Sequence, residues 1–213
     1  RTAGRAAAAL ARRDLADLEG ERRRHHMLRV LGRVTRLLAP SDALRDRYLD
    51  FGVPADRLTR VELGIDPRPL AAARPRTPRA EGAPLRLGFL GSLIVSKAPH
   101  VLLEAFAGLP AGAATLEVFG AVAPYHGDDG YRARVEPLLA TPGVRVHGPL
   151  PHERIAEAFA AIDVLVMPST WLENAPLVLR EAFAAGVPVV ASDLGGMAES
   201  VRHGVDGLLF PPG

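Results

Sequence analysis

Val164-Leu165-Val166-Met167-Pro168-Ser169 leads into Thr170-Trp171-Leu172-Glu173-Asn174-Ala175-Pro176, and then into Leu177-Val178-Leu179-Arg180-Glu181-Ala182. The first four residues are an unbroken apolar run stopped by a proline, the pattern of a strand buried on both faces. Pro176 suits the first turn of a helix, where its missing N–H is no loss. The unit is therefore strand, loop, helix, and it repeats in both directions. Further strand-like runs lie at 85–90, 115–119, 144–147, 187–191 and 207–210, with helix-like segments at 100–107, 131–139, 152–160, 175–185 and 196–201. Apolar strands alternating with helices specify an α/β fold with an open, doubly wound parallel sheet. Ligands of such sheets sit at the carboxyl ends of the strands, so the chemistry is sought in the loops that follow them.

Ahead of this alternation the chain reads differently. Residues 67–84 hold five Pro and four Arg and little that is large and apolar, so they read as a linker, with the domain boundary inside them. The expected division is a mostly helical amino-terminal remnant over 1–70, a linker over 71–84 and a ligand-binding domain over 85–213. Within the remnant, Ala, Leu and Arg from Thr2 to about Leu38 favour helix. Arg36 to Ser41 reads as a short buried strand closed by Pro40, Ser41 as the cap of a helix that stops near Gly52, and Val53 to Leu63 as a turn and a second short extended piece.

Composition narrows the function. The chain has 213 residues, 48% hydrophobic and 23% charged, enough to bury a sizeable core. No apolar run approaches the ~20 residues of a membrane-spanning helix. The absence of Cys excludes disulfide scaffolds, thiolate metal sites and a cysteine nucleophile. The start lacks the basic-then-apolar pattern of a signal peptide, and both ends read as cuts. Of the net charge of +2, residues 1–36 carry ten Arg against four acids, so the remainder is acidic. Such an arm is compatible with an anionic membrane surface. It has no interleaved aromatics and no groove-reading motif, so nucleic acid is not an expected partner and the arm reads first as a solvated helix face.

Two loops carry candidate chemistry. Gly91-Ser92 with Lys97 follows the first strand of the alternation. Its glycine allows close backbone approach and its lysine suits a phosphate, although the glycine spacing fits neither a P-loop nor a dinucleotide fingerprint. By itself this is equally a surface lysine on a turn. Around Pro176, the first-turn amides near Leu177 and Val178 form an anion site aided by the helix dipole. Glu173 before that turn and Glu181 within the helix can face one cleft, where each carboxylate can accept from two hydroxyls. Phosphate on amides with hydroxyls on carboxylates describes a sugar nucleotide. Spacing alone equally describes an ordinary helix start with two acids. Trp171 suits either stacking on a sugar or base, or core packing. His126 with Asp128 and Asp129 reads as a polar surface loop in preference to a metal site, His25 and His26 as exposed, and Asp66 as a cap.

Taken with its context, the stretch resembles the E-x7-E motif of retaining GT-B glycosyltransferases, specifically glycosyltransferase family 4. The likeness extends over nearly the whole chain: Ala39-Pro40-Ser41, Leu63-Gly64-Ile65-Asp66, Gly88-Phe89-Leu90-Gly91-Ser92-Leu93 with Lys97, Gly148, Ala161 to Ser169, Ala185 to Ser192, Gly195-Gly196 with Glu199, and Gly204 to Phe210. The resemblance implies the Rossmann-like carboxyl-terminal, donor-binding domain of a GT-B fold. It also implies transfer of a sugar from a nucleotide-diphosphate-sugar to an acceptor hydroxyl with retention, in polysaccharide or glycoconjugate biosynthesis by a bacterial enzyme. Such an enzyme is expected in the cytoplasm or at the inner face of the membrane.

By the same resemblance Glu173 contacts the transferred sugar and Glu181 the ribose, while Asn174, Ala175, Pro176, Leu177 and Val178 line the sugar and diphosphate. Lys97 neutralises the diphosphate, and Gly91, Ser92, His147 and Gly148 complete the donor site, His147 through its backbone. No metal or other cofactor is required. The acceptor, whether glycan, lipid or small molecule, comes from a half this chain lacks, so the chain alone is expected to bind donor and transfer poorly. One departure stands out: Ser92 occupies a place that is usually basic, and Arg180 and Arg154 are the candidates to compensate. The alternatives are another GT-B enzyme, such as a sugar-nucleotide epimerase, or a non-catalytic nucleotide-sugar-binding module.

Overall fold

A computed structural model of the chain describes residues 2–73 and 79–213. The chain divides into two compact units, residues 1–61 and 62–213.

In the first unit a long helix, α1 (Thr2–Leu31), ends before the expected strand, β1 (Leu37–Ala39). Helix α2 (Asp42–Phe51) follows, and β2 (Leu58–Arg60) pairs in parallel with β1. The Ser41 hydroxyl accepts from the Leu44 amide at 3.2 Å, the cap its position predicts, and Gly52 closes the helix. The core is small: Ala39, Val53 and Leu58, flanked by Leu31, Leu37, Tyr48 and Leu49.

The second unit holds six parallel strands: β3 (Leu85–Leu90), β4 (Ala114–Phe119), β5 (Val144–Val146), β6 (Val164–Met167), β7 (Val189–Ser192) and β8 (Gly207–Phe210). Their order is β5-β4-β3-β6-β7-β8. Helices α3 (Pro99–Ala107) and α4 (Arg132–Leu139) cover one face, where Leu102, Leu103, Phe106 and Val135 bury against Phe89, Leu116 and Val118. Helices α5 (Ile155–Ala161), α6 (Leu177–Ala184) and α7 (Gly195–Ser200) cover the other, with Phe159, Ile162, Leu179 and Met197 against Leu165 and Val189. Each fully buried side chain of this size contributes roughly 1.5–3 kcal/mol, so a two-sided core stabilises the sheet where propensity alone would not. This is the doubly wound architecture the alternation specifies.

The boundary falls earlier than the proline count suggests. Residues 62–73 belong with the second unit, and Pro69–Ala73 form a 3-10 turn that buries Leu70 and Ala73 in the core beside Phe159. Leu70 is the one large apolar side chain in the Pro- and Arg-rich stretch, and together with Ala73 it docks that stretch onto the core. Positions 74–78 of the expected linker lie outside the described residues.

Candidate functional site

The sheet places the site before any side chain is considered. Successive connections turn one way from β3 to β5 and the other way from β6 onward, so the switch lies between the neighbours β3 and β6. A crevice opens at the carboxyl ends of strands at such a point. The loops after β3 and β6 run side by side there, tied by the Thr170 amide donating to the Ser96 carbonyl at 3.1 Å.

Those two loops bring Lys97 and Glu173 together. Lys97 ends a 3-10 turn, Val95–Lys97, and its Nζ donates to Glu173 Oε1 at 2.9 Å. The same oxygen accepts from the Ser169 hydroxyl at 3.1 Å. Both side chains are mostly buried. Lys97 has three N–H donors and Glu173 has a second oxygen, so each keeps capacity for a ligand after pairing with the other. The aliphatic stem of Lys97 passes over Gly91, where a Cβ would come 3.4 Å from its Cδ.

The Glu173 loop is held from behind by the start of α7. The Gly196 amide donates to the Glu173 carbonyl at 2.8 Å, and a Cβ on Gly196 would stand 2.1 Å from the Asn174 carbonyl oxygen. No residue larger than glycine fits without moving the loop. Pro176 precedes α6 with no side-chain cap, leaving the first-turn amides to be satisfied by something other than the protein's own side chains.

Beside this polar pair lies a cleft of about 400 Å³. It is lined by the ends of β3 and β4, the loops after β3, β4 and β5, Ile155 of α5, and Val178 and Glu181 of α6. Gly91 and Ser92 belong to it, so it adjoins the lysine. The loops after β3 and β4 meet so closely that a Cβ on Gly120 would fall 1.9 Å from the Gly91 carbonyl oxygen. Glu181, only 7% exposed, is the acid of this otherwise largely apolar cleft. Burial pushes its carboxyl above the usual range, and the nearby His152 partly opposes that.

Other expected residues sit elsewhere. The His147 ring does not face the cleft: its Nε2 is 2.7 Å from Glu117 Oε2, and the ring stacks on Phe119 at 4.4 Å. It supports the cleft from behind, because Phe119 lines it, while the chain through Gly148 delivers Pro149 and Leu150 to the wall. Glu117, 4% exposed, is held on its other oxygen by Arg145 at 2.8 Å. Trp171 is 61% exposed, which removes the core-packing alternative. Arg180 turns to Glu62 at 3.3 Å and Arg154 forks onto Glu157, so neither lines the cleft in place of the basic group missing at Ser92. Asp66 accepts from the Arg68 amide and guanidinium, a local turn, and among the described residues no strand ends at it for it to cap.

His126 occupies a tight turn in which Tyr125 and Asp128 exchange backbone hydrogen bonds. Among the described residues, no three His, Asp or Glu side chains stand close enough to hold a metal ion, and no helix is long and apolar enough to cross a membrane. The sequence did not single out Gly120, Phe119, Leu150 or Ile155. The first carries a legible signal, a glycine directly after an apolar strand; the others are ordinary core residues until the loops are placed.

Comparison with known proteins agrees with this geometry. The family model described as "Glycosyl transferases group 1" matches residues 74–213. A D-inositol 3-phosphate glycosyltransferase of Thermobispora bispora is 35% identical over 172 residues, covering 75% of this chain and 40% of the relative. The structure of sucrose-phosphate synthase from Thermosynechococcus elongatus superposes with a TM-score of 0.73 at 27% identity, covering 90% of this chain and 49% of that one. Anabaena Alr3699/HepE in complex with UDP and glucose gives 0.69 at 25% identity, covering 84% and 50%. The chain thus spans about two fifths of the length of the curated relative and half that of the structures. With its parallel sheet, switch-point cleft and matched length, the chain belongs to the glycosyl transferases group 1 family.

Proposed function

We propose that this chain is the donor-binding half of a glycosyltransferase that moves a sugar from a nucleotide-diphosphate-sugar to an acceptor hydroxyl with retention of configuration. The observation that carries the reading is the continuity of the apolar cleft holding Glu181 with the polar pocket of Lys97 and Glu173, joined at Gly91. The cleft takes the nucleoside, with Glu181 accepting from the ribose hydroxyls. The diphosphate lies between Lys97 and the first-turn amides of α6, near Leu177 and Val178. Glu173, first acid of the E-x7-E pair, accepts from hydroxyls of the transferred sugar.

As the sugar–phosphate bond breaks, negative charge grows on the leaving diphosphate. Lys97 and the oriented amides are already in place to stabilise it, the preorganised electrostatics that dominate such steps. Ser92 supplies one hydrogen bond at most and no charge, so Lys97 carries more of that task. No metal enters the scheme. The acceptor is supplied by the remainder of a longer protein in the cytoplasm, and without it proximity is lost and transfer is slow.

The UDP and glucose bound by the Anabaena protein make UDP the first probe. A thermal-shift panel of UDP, GDP, ADP and TDP, run on this chain and on Glu181→Ala, tests the reading. A ligand bound only by the folded state raises the melting temperature. The expected result is a shift for one base that Glu181→Ala abolishes; no shift from any of the four overturns the proposal.

A further inference from the structure

Nothing in the sequence singles out His152. It opens a 3-10 turn, His152–Arg154, between Leu150 and Ile155, both of which line the cleft. Its Nδ1 stands 3.7 Å from Glu181 Oε1, with the ring largely in solvent and the carboxylate buried. The other cations nearby are committed elsewhere: Lys97 to Glu173, Arg180 to Glu62 and Arg154 to Glu157. The remaining polar side chain of the cleft wall is the Ser92 hydroxyl; Leu90, Phe119, Leu150, Ile155 and Val178 are apolar.

His152 also acts on Asp66, near the start of the second unit. Asp66 is held down to about 2, chiefly by hydrogen bonds from Arg68 and in small part by His152. Two carboxylates thus lie within electrostatic reach of the imidazole: Asp66, already answered by an arginine, and Glu181, at 3.7 Å, which burial drives toward its neutral form. A neutral carboxyl keeps one O–H and loses acceptor capacity, whereas an ionised one accepts from both hydroxyls of a vicinal diol. The state of Glu181 thus decides how well it can hold a ribose.

We propose that His152 is a positioning residue for the donor site: as imidazolium it keeps the buried Glu181 carboxylate ionised and so competent to accept both ribose hydroxyls. The proposal rests on reading Glu181 as the ribose partner. It makes His152 a lever on nucleotide affinity in mildly acidic solution that never touches the reacting bond.

Calorimetry with UDP on the full chain, between about pH 5 and 8, separates the two ideas. In His152→Asn, affinity near about pH 6 falls about two- to threefold, the weight of an exposed ion pair, and the acid-side loss of binding moves to higher pH. His152→Arg, a permanent cation, restores the affinity and moves that loss to lower pH. In a Glu181→Gln background the His152 substitutions have no effect. A pH profile of His152→Asn that coincides with wild type, while Glu181→Gln still weakens UDP, overturns the role of His152 and leaves the site reading intact. Unchanged affinity in Glu181→Gln overturns the reading itself. A second measurement needs no nucleotide: the Glu181 carboxyl carbon, followed by NMR, titrates at higher pH in His152→Asn and at lower pH in His152→Arg. Coincident curves overturn the coupling.

Discussion

Glu173 and Glu181 are the same residue type, eight positions apart around one helix start, yet they live in opposite surroundings. Glu173 sits in a polar pocket where Lys97 and Ser169 converge on one of its oxygens, and its backbone is pinned by Gly196. Glu181 sits among apolar side chains, with the exposed His152 alone at ion-pair distance among the described residues. The first is fixed by partners, the second by burial. Fixing by partners gives a carboxylate whose charge is answered before any ligand arrives. Fixing by burial gives one that gains its partners from the ligand, since desolvation leaves its acceptor capacity unmet. A nucleoside diphosphate, with neutral ribose hydroxyls toward one end and a charged diphosphate at the other, suits such a divided site.

The largest effect that breaks this comparison is expected on the polar side. Lys97→Ala removes the cation proposed to face the diphosphate and leaves Glu173 Oε1 with the Ser169 hydroxyl alone. Loss of a charge-assisted hydrogen bond, about 2–3 kcal/mol, weakens UDP by roughly 30- to 160-fold. Uridine, which has no phosphate, binds as before. Glu181→Gln instead weakens both ligands. Calorimetry with the two ligands on the two variants reads this directly, and equal losses for UDP and uridine in Lys97→Ala would dissolve the division.

Next in size is the scaffold behind Glu173. Gly196→Ala drives a methyl into the Asn174 carbonyl, 2.1 Å away, so α7 or the acidic loop must shift. A rigid backbone neighbour cannot yield cheaply, and a cost of about 2 kcal/mol is expected, seen as a melting temperature lower by roughly 4–8 °C. The Lys97–Glu173 contact goes with it, while the Glu181 cleft keeps its uridine affinity. If uridine binding falls in parallel with stability, the two halves of the site are one cooperative unit.

How much of this the residues announce depends on which half is asked about. The six strands of the sheet are legible because each is an apolar run between turn signals, and the two acids because a proline marks the helix start between them. That Lys97 meets Glu173 is not legible locally: they are 76 positions apart and come together only because β3 and β6 are neighbours at the switch point. Glu117 is hidden for the opposite reason. It sits inside an otherwise apolar strand, and only the pairing of β4 with β5 brings Arg145 and His147 onto it. The same pairing turns the His147 ring away from the cleft. Leu70 and Ala73 show the limit of composition, since a proline-rich stretch reads as linker until its few apolar side chains find a core.

On the apolar side the expected effect is smaller and opposite in sign. Burial raises the pKa of Glu181 in the folded state, so the folded protein binds this proton more readily than the unfolded chain. The stability so contributed is fully present below the ordinary glutamate range and is lost as pH rises through the raised value. Near neutrality the ionised side chain is a burden. Glu181→Gln is therefore more stable than wild type there, by on the order of 1 kcal/mol, and its melting temperature rises less on acidification. A pH series of melting curves checks this. A variant less stable than wild type at neutral pH would mean that His152 more than offsets the cost of burial.

The smallest expected effect returns to the polar side. Between Lys97 and Pro99, Ala98 has φ 47° and ψ 44°, a left-handed conformation that costs an L-residue about 1–2 kcal/mol. Ala98 is also fully buried, so its methyl contributes some packing that glycine would forfeit. The two terms oppose, and the conformational one is the larger. Ala98→Gly is expected to raise the melting temperature by about 1–3 °C, the equivalent of roughly 0.5–1 kcal/mol. The strain sits one residue from Lys97, so relief has a second consequence: the turn over Val95–Lys97 is held less firmly. UDP affinity in Ala98→Gly should then fall slightly while uridine affinity holds, the same signature as Lys97→Ala at a fraction of its size. A more stable variant with unchanged UDP affinity would show that the 2.9 Å bond to Glu173, and not the backbone turn, is what positions Lys97.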